Sequence, residues 1–235
     1  MSRLFVALDF PEGNEAFRLV NKLLPFHRDF KVGLELFSAE GPDLVSRLKG
    51  EGANIFLDLK FHDIPNTAAG AVRSATRLGV DFLNVHCGGG AAMLRAAATA
   101  CAEEAAKLSI PRPKLLGVTV LTSLDDQAVQ EIGFPRSASA QVLHFVNLAK
   151  DNGLDGVVCS PQELPLVRQN AGDAFLTMVP GIRPAGSAAG DQKRTLTPAE
   201  AVKAGASCLV VGRPVTAAAD PAAALKSILL EMGIA

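Results

Sequence analysis

Tryptophan and tyrosine are absent from this 235-residue chain, and 12 phenylalanines supply all its aromatic rings. Base-stacking platforms for nucleic acid would therefore rest on Phe alone, and no phenol is available as a catalytic acid. Charge of one sign is lacking too: 23 basic and 24 acidic residues leave a net charge of −1. Such a balance gives no global attraction to nucleic acid or to an anionic membrane, so any anion site must be local. No apolar run approaches the length of a bilayer span, and the apolar part of the N-terminus, MSRLFVALDF, is too short for a signal peptide. A cytoplasmic protein is expected. The four cysteines, Cys87, Cys101, Cys159 and Cys208, form no CxxC pair, and most sit in apolar runs. Buried reduced thiols are expected, rather than disulfides or metal ligands. Walker A, GxGxxG, HExxH and GxSxG patterns are all missing.

What the chain does have is 49% apolar residues against 20% charged, ample for a large core and incompatible with disorder. Short apolar runs recur at 4–8, 30–34, 54–59, 82–86, 115–121, 156–159, 175–179 and 208–211. They are apolar on both faces, as buried parallel strands are. Amphipathic or Ala-rich stretches at 14–24, 65–78, 91–108, 137–151, 161–169, 197–204 and 221–232 predict helices between them. Gly52, Gly79, Gly153 and Gly205 stand where helices should close before the next strand. Eight strands, each followed by helical sequence, predict an α/β fold, a (β/α)₈ TIM barrel. A doubly wound open sheet is the runner-up. No linker or composition shift divides the chain, so residues 1–235 read as one domain.

In such a barrel functional residues collect at the carboxyl ends of strands. Asp9 ends the first run, and Asp58 and Lys60 end the third, two apart and so expected on one face. Asp63 follows in the loop, and Lys31 lies in the second run, nearer its start than its end. A solvated loop with surface ion pairs is the bland alternative for the charged DLKFHD string. Against it, inward charges are costly and are kept when paired, usually for function. A second cluster begins at Val179-Pro-Gly-Ile-Arg183-Pro and runs through a Gly/Ala/Ser-rich stretch carrying Gln192, Lys193 and Arg194. A loop this long in a barrel is usually functional, often a lid. The eighth run ends in Gly212-Arg213-Pro, where barrels commonly bind phosphate. Surface arginines on an incidental loop are the alternative. Gly88-Gly-Gly reads as a tight turn into a long helix, His86 as a structural histidine, His62 as a packing residue, and Asp125–Asp126 as a helix N-cap rather than a metal site.

The string Asp58-Leu-Lys60-Phe-His-Asp63-Ile-Pro-Asn-Thr67 resembles the signature of the orotidine 5′-monophosphate decarboxylase family. The likeness extends over nearly the whole chain, through Ala7-Leu-Asp9, Lys31-Val-Gly, Val118-Thr-Val-Leu-Thr-Ser123, Gly190-Asp-Gln192 and Val211-Gly-Arg213-Pro. The DxKxxD core alone names only the superfamily; the longer string and the late Gln/Arg pair are more specific. The resemblance implies conversion of orotidine monophosphate to uridine monophosphate in pyrimidine synthesis, by a homodimer without metal or organic cofactor. It also implies roles. Lys60 would be the proton donor and Asp58 would sit beside the substrate carboxylate. Lys31 and Asp63 would complete an alternating charge network, with Asp63 coming from the neighbouring subunit. Asp9, Lys31 and Thr67 would hold ribose hydroxyls, Thr122 or Ser123 would contact the pyrimidine, and Arg183, Gln192, Gly212 and Arg213 would serve the phosphate. Two rivals stand beside this reading. One is a sister metal-dependent sugar-phosphate decarboxylase or aldolase, which carries an acidic metal ligand where this chain has Lys31. The other is a nucleotide-binding barrel without catalysis.

Overall fold

A computed structural model describes residues 2–184 and 195–234. Eight parallel strands close into a barrel in sequence order: β1 Arg3–Ala7, β2 Asp29–Gly33, β3 Asn54–Phe61, β4 Phe82–His86, β5 Lys114–Val118, β6 Gly156–Val158, β7 Leu176–Val179 and β8 Cys208–Val211. Closure is made where β1 pairs with β8, Arg3 opposite Cys208 and Val6 opposite Val211. The expected barrel is therefore observed, and the open sheet is excluded.

Helices α1 Gly13–Leu23, α2 Leu34–Glu40, α3 Pro42–Gly50, α4 Pro65–Arg77, α5 Gly90–Leu108, α6 Asp126–Glu131, α7 Ala138–Asp151, α8 Leu164–Ala171, α9 Pro198–Lys203, α10 Arg213–Thr216 and α11 Pro221–Glu231 surround the sheet. Their starts are written locally. Helices α3, α4, α9 and α11 begin on Pro42, Pro65, Pro198 and Pro221, whose missing N–H costs nothing in a first turn. Ser137, Thr197 and Asp220 cap α7, α9 and α11 with side-chain oxygens. The four expected helix-closing glycines all have φ between +68° and +89°.

Three expectations need correction. Residues 34–50 carry two helices, α2 and α3, broken by Gly41 at φ +70°. The fifth strand ends at Val118 rather than at residue 121. Beyond it both the N–H and the hydroxyl of Thr119 donate to the Val158 carbonyl, and Val120 turns into the barrel mouth. Val120 and Leu121 are apolar because they line a cavity, not because they pair. Short helix α10 also occupies what reads as loop, whereas α6 follows the cap expected at Asp125–Asp126.

The core has two layers. Between sheet and helices lie Val6, Leu23, Val32, Leu57, Val72 and Leu83, among many others. Inside the barrel, Phe5, Phe56 and Phe82 meet edge to face with centroids 5.4–6.5 Å apart, joined by Leu116, Met178 and Val210. These rings fill the lower half of the interior. Inward positions alternate along a strand, so the one above Phe56 is Asp58, and charge begins where the aromatic layer ends. All four cysteines are free and buried, as expected, and burial pushes the thiols of Cys87 and Cys208 up to about 12.

Candidate active site

At the carboxyl end of the barrel, side chains from β2, β3 and the segment just after β1 form an alternating row of charge. Lys31 Nζ stands 2.9 Å from Asp9 Oδ1 and 3.6 Å from Asp58 Oδ2. Lys60 Nζ stands 2.7 Å from Asp58 Oδ1. Lys31 and Asp58 are buried, and Lys60 is partly exposed. Burial by itself would raise the Asp58 carboxyl. Lys31, Lys60 and hydrogen bonds from Lys60 and Asn84 outweigh it and hold the carboxyl below its usual range. The row is thus a set of fixed charges, each neutralised by a neighbour of opposite sign.

Regular strand alternation does not deliver Lys60. The β3–β4 register shifts between Leu57 and Phe61, and Lys60 adopts φ +52°, left-handed and uncommon for a residue with a Cβ. That bulge turns the ammonium back over Asp58. Gly33 matters for a different reason, which is space. A Cβ there would lie 2.7 Å from Lys31 Nζ and 3.0 Å from Asp9 Oδ1, so the Lys31–Asp9 pair occupies the volume of a side chain.

Two connected cavities open over the row and share Lys31, Asp58 and Lys60. The smaller, about 190 Å³, is walled by Phe56, Val118, Val120, Thr122, Cys159 and Met178. Mostly apolar and narrow, it suits a planar ring. The larger, about 490 Å³, continues past Asp9 and Gly33 to Gly181, Arg183, Gly212 and Arg213. Burial and then the charge of Arg213 lower the pKa of Arg183, so two guanidinium groups stand close together on one wall, a geometry suited to an anion. A broader concavity of about 1120 Å³ lies at the opposite end of the barrel. Its cations are already matched there, Arg3 by Asp29, Lys49 by Asp81, and Arg112 and Lys114 by Asp155. Arg168 is spent on carbonyls and hydroxyls.

Of the residues expected at the site, Asp9, Lys31, Asp58 and Lys60 form the row, and Thr122, Arg183, Gly212 and Arg213 line the cavities. Ser123 is exposed and lines neither cavity. Thr67, exposed in the first turn of α4, also lines neither. Asp63 is exposed, and its carboxylate accepts from the neighbouring Ile64 N–H, outside the row of its own chain. Gln192, Lys193 and Arg194 lie outside the described residues. The Gly88-Gly-Gly turn leads into α5 through a short 3₁₀ turn, and Asp125 caps α6 by accepting from Ala128 N–H. His86 packs against His62 with ring centroids 5.3 Å apart. Burial, with the nearby His62 and Lys60 charges, brings its pKa down to about 4, so it stays neutral near pH 7. Sequence reasoning missed Asn84, wholly buried on β4 and bonded to both Asp58 and Lys60. An amide in the middle of the apolar run FLNVH was its only signal.

Among the described residues, no group of three or more His, Cys, Asp or Glu side chains is placed to hold a metal ion. The nearest carboxylates, Asp9 and Asp58, already share the Lys31 ammonium.

Residues 2–228 match the model of the orotidine 5′-phosphate decarboxylase / HUMPS family. The chain belongs to that family. A relative named orotidine 5′-phosphate decarboxylase, from Moorella thermoacetica, is 53% identical over 98% of this chain and 92% of its own length. One of the same name from Alkalilimnicola ehrlichii is 53% identical over 98% and 96%. Among solved structures, orotidine 5′-phosphate decarboxylase from Lactobacillus acidophilus superposes with a TM-score of 0.89 at 39% identity, covering 99% of both chains. Within this family frame, the row of charge and the two cavities occupy the barrel end where (β/α)₈ enzymes keep their chemistry.

Proposed function

We propose that this chain converts orotidine 5′-phosphate to uridine 5′-phosphate and carbon dioxide, as a carboxy-lyase that draws its proton from Lys60. The observation that carries this reading is the row Lys31–Asp58–Lys60 beneath a ring-sized cavity whose extension bears two arginines. The carbon–carbon bond to the carboxylate breaks and carbon dioxide leaves with no charge. The electron pair stays on the ring carbon, which has no ordinary sink. A preorganised ammonium beside that carbon stabilises the pair directly. The Lys60 proton then moves to the carbon, leaving a neutral amine that water reprotonates. Asp58, ionised because Lys31, Lys60 and Asn84 hold it so, faces the departing carboxylate and loses that repulsion as the bond breaks.

Binding energy from the remote phosphate offsets this unfavourable ground-state contact. In this reading Arg183, Gly212 and Arg213 take the phosphate together with Gln192. Asp9, Lys31 and Thr67 hold the ribose, and Thr122, on the cavity wall, meets the pyrimidine ahead of Ser123. The working unit is a cytoplasmic homodimer of single-domain chains, each contributing Asp63 to its partner's site. Four buried free thiols suit such a reducing compartment, and among the described residues no helix is long and apolar enough to cross a membrane. The sister metal-dependent chemistry is disfavoured by Lys31, whose ammonium would oppose a divalent cation at Asp9 and Asp58.

Loss of orotidine 5′-phosphate, followed by its ultraviolet absorbance in excess EDTA, tests the reading. Turnover at an undiminished rate is expected, and its absence, or its dependence on added metal, would overturn the assignment. Arg213→Ala should weaken the phosphorylated substrate by roughly 10–10² in Kd, in line with a charged hydrogen bond worth about 1.5–3 kcal/mol. Orotidine without its phosphate should bind nearly unchanged, since it has no charge to lose. Equal losses for both ligands would remove Arg213 from the phosphate end.

A further inference from the structure

In the mechanism above Asn84 enters only as one of the groups that keep Asp58 ionised, yet each half of its amide is committed to the reacting groups. The carbonyl Oδ1 accepts from the backbone N–H of Lys60 at 2.8 Å. The amide Nδ2 donates to Asp58 Oδ1 at 2.7 Å, the same oxygen that takes Lys60 Nζ. An ionised carboxylate can only accept and an N–H can only donate, so these partners fix which end of the amide faces which.

From this geometry we infer that Asn84 is the positioning residue of the site, holding the Lys60 backbone in its bulge and the Asp58 carboxylate in its plane. Two independent features support it. First, the β3–β4 ladder is interrupted between Leu57 and Phe61, so Lys60 N–H must find an acceptor other than the next strand's backbone. Asn84 supplies it. A left-handed residue with a Cβ persists only where its surroundings hold it, and the Asn84 bond is made at that residue. Second, Asp58 Oδ1 is fixed by two donors, which leaves Oδ2 toward Lys31. Asn84 itself is completely buried and lines neither cavity, so it acts on substrate only through its two neighbours.

Charge surrounds it on one side only. Asp58 and Lys60 face it from β3, with Lys31 of β2 behind Asp58. His86 stands two residues along β4 and is neutral near pH 7. Leu116, opposite on β5, carries no titratable group. An ionisable group placed at this position would therefore titrate against Asp58 above all.

The inference rests on the decarboxylase reading, and two variants of the whole chain test it. Asn84→Ala should lower kcat about 10²-fold, the cost of a catalytic group displaced by about an ångström. Binding of uridine 5′-phosphate should change little, because Asn84 lies away from the phosphate and ribose lobe. Asn84→Asp is nearly isosteric. Protonated, the introduced acid donates to Asp58 and accepts from Lys60 N–H, as the amide does. Ionised, it meets Asp58 with like charge, which together with burial raises its pKa. Its kcat should therefore approach the wild-type value at low pH and fall as pH rises, along a limb the wild type lacks. If Asn84→Ala fails to fold, the pH profile of Asn84→Asp decides alone. Wild-type kcat and a parallel pH profile in Asn84→Asp would overturn the inference while leaving the decarboxylase reading intact. No turnover by the wild type would overturn both.

Discussion

Replacing Lys60 by alanine should lower turnover of orotidine 5′-phosphate by about 10⁴-fold or more, with uridine 5′-phosphate still bound. Two contributions disappear together. A positioned proton donor is worth roughly 10²–10⁴, and a preorganised stabiliser of developing charge roughly 10²–10³. They reside in one ammonium and one step, so the loss exceeds either alone without equalling their product. The other groups of the row stay in place: Asp58 keeps Asn84 at 2.7 Å and Lys31 at 3.6 Å, and Lys31 keeps Asp9 at 2.9 Å. Arg183 and Arg213 lie in the other lobe of the cavity, so affinity for the product nucleotide should survive. Lys60→Arg should not rescue turnover, because a guanidinium keeps its proton under all ordinary conditions. Steady-state rates paired with calorimetric titration of uridine 5′-phosphate check this. A Lys60→Ala variant with a near-normal kcat would remove Lys60 from the reaction.

The parts of the molecule legible in the sequence are those where one chemical signal dominates. Parallel strands buried on both faces read as continuous apolar runs, so all eight were found, and Asp58 and Lys60 stood out as charge at the end of one of them. Helices α2 and α3 escaped because Gly41 interrupts the period after seven residues and restarts it for nine, leaving no window long enough to show an apolar face. The fifth strand reads longer in the sequence than it is because a cavity wall and a strand are apolar alike. Asn84 escaped for the opposite reason: an uncharged amide inside FLNVH gives no electrostatic cue, and its importance lies in a bulge on the neighbouring strand. Lys31 lies mid-strand, and only its side-chain reach brings Nζ to Asp9 and Asp58. The space that reach occupies explains why Gly33 follows it two residues later.

A mixture of two inactive variants, Lys60→Ala and Asp63→Ala, should regain activity once their subunits exchange. Among the described residues of its own chain Asp63 does nothing for the row; it is exposed and accepts only from the adjacent Ile64 N–H. It stands on the barrel rim beside Ile64, which is 68% exposed, with Leu34, 54% exposed, at the end of β2. Apolar side chains left in water around the site suit a surface that a second copy covers. If that copy is related by a two-fold axis, each Asp63 enters the other subunit's site, and every contact is made twice. Each single variant then damages both sites of its own homodimer. In a heterodimer one site collects both lesions and the other collects neither. Random exchange makes half the dimers mixed, so the mixture should regain about a quarter of the wild-type sites. Denaturing and refolding the variants together, assaying turnover, and counting heterodimers by native mass spectrometry gives the measurement. Heterodimers that form yet stay as inactive as their parents would confine Asp63 to its own subunit and leave the row Lys31–Asp58–Lys60 without a contribution from the partner.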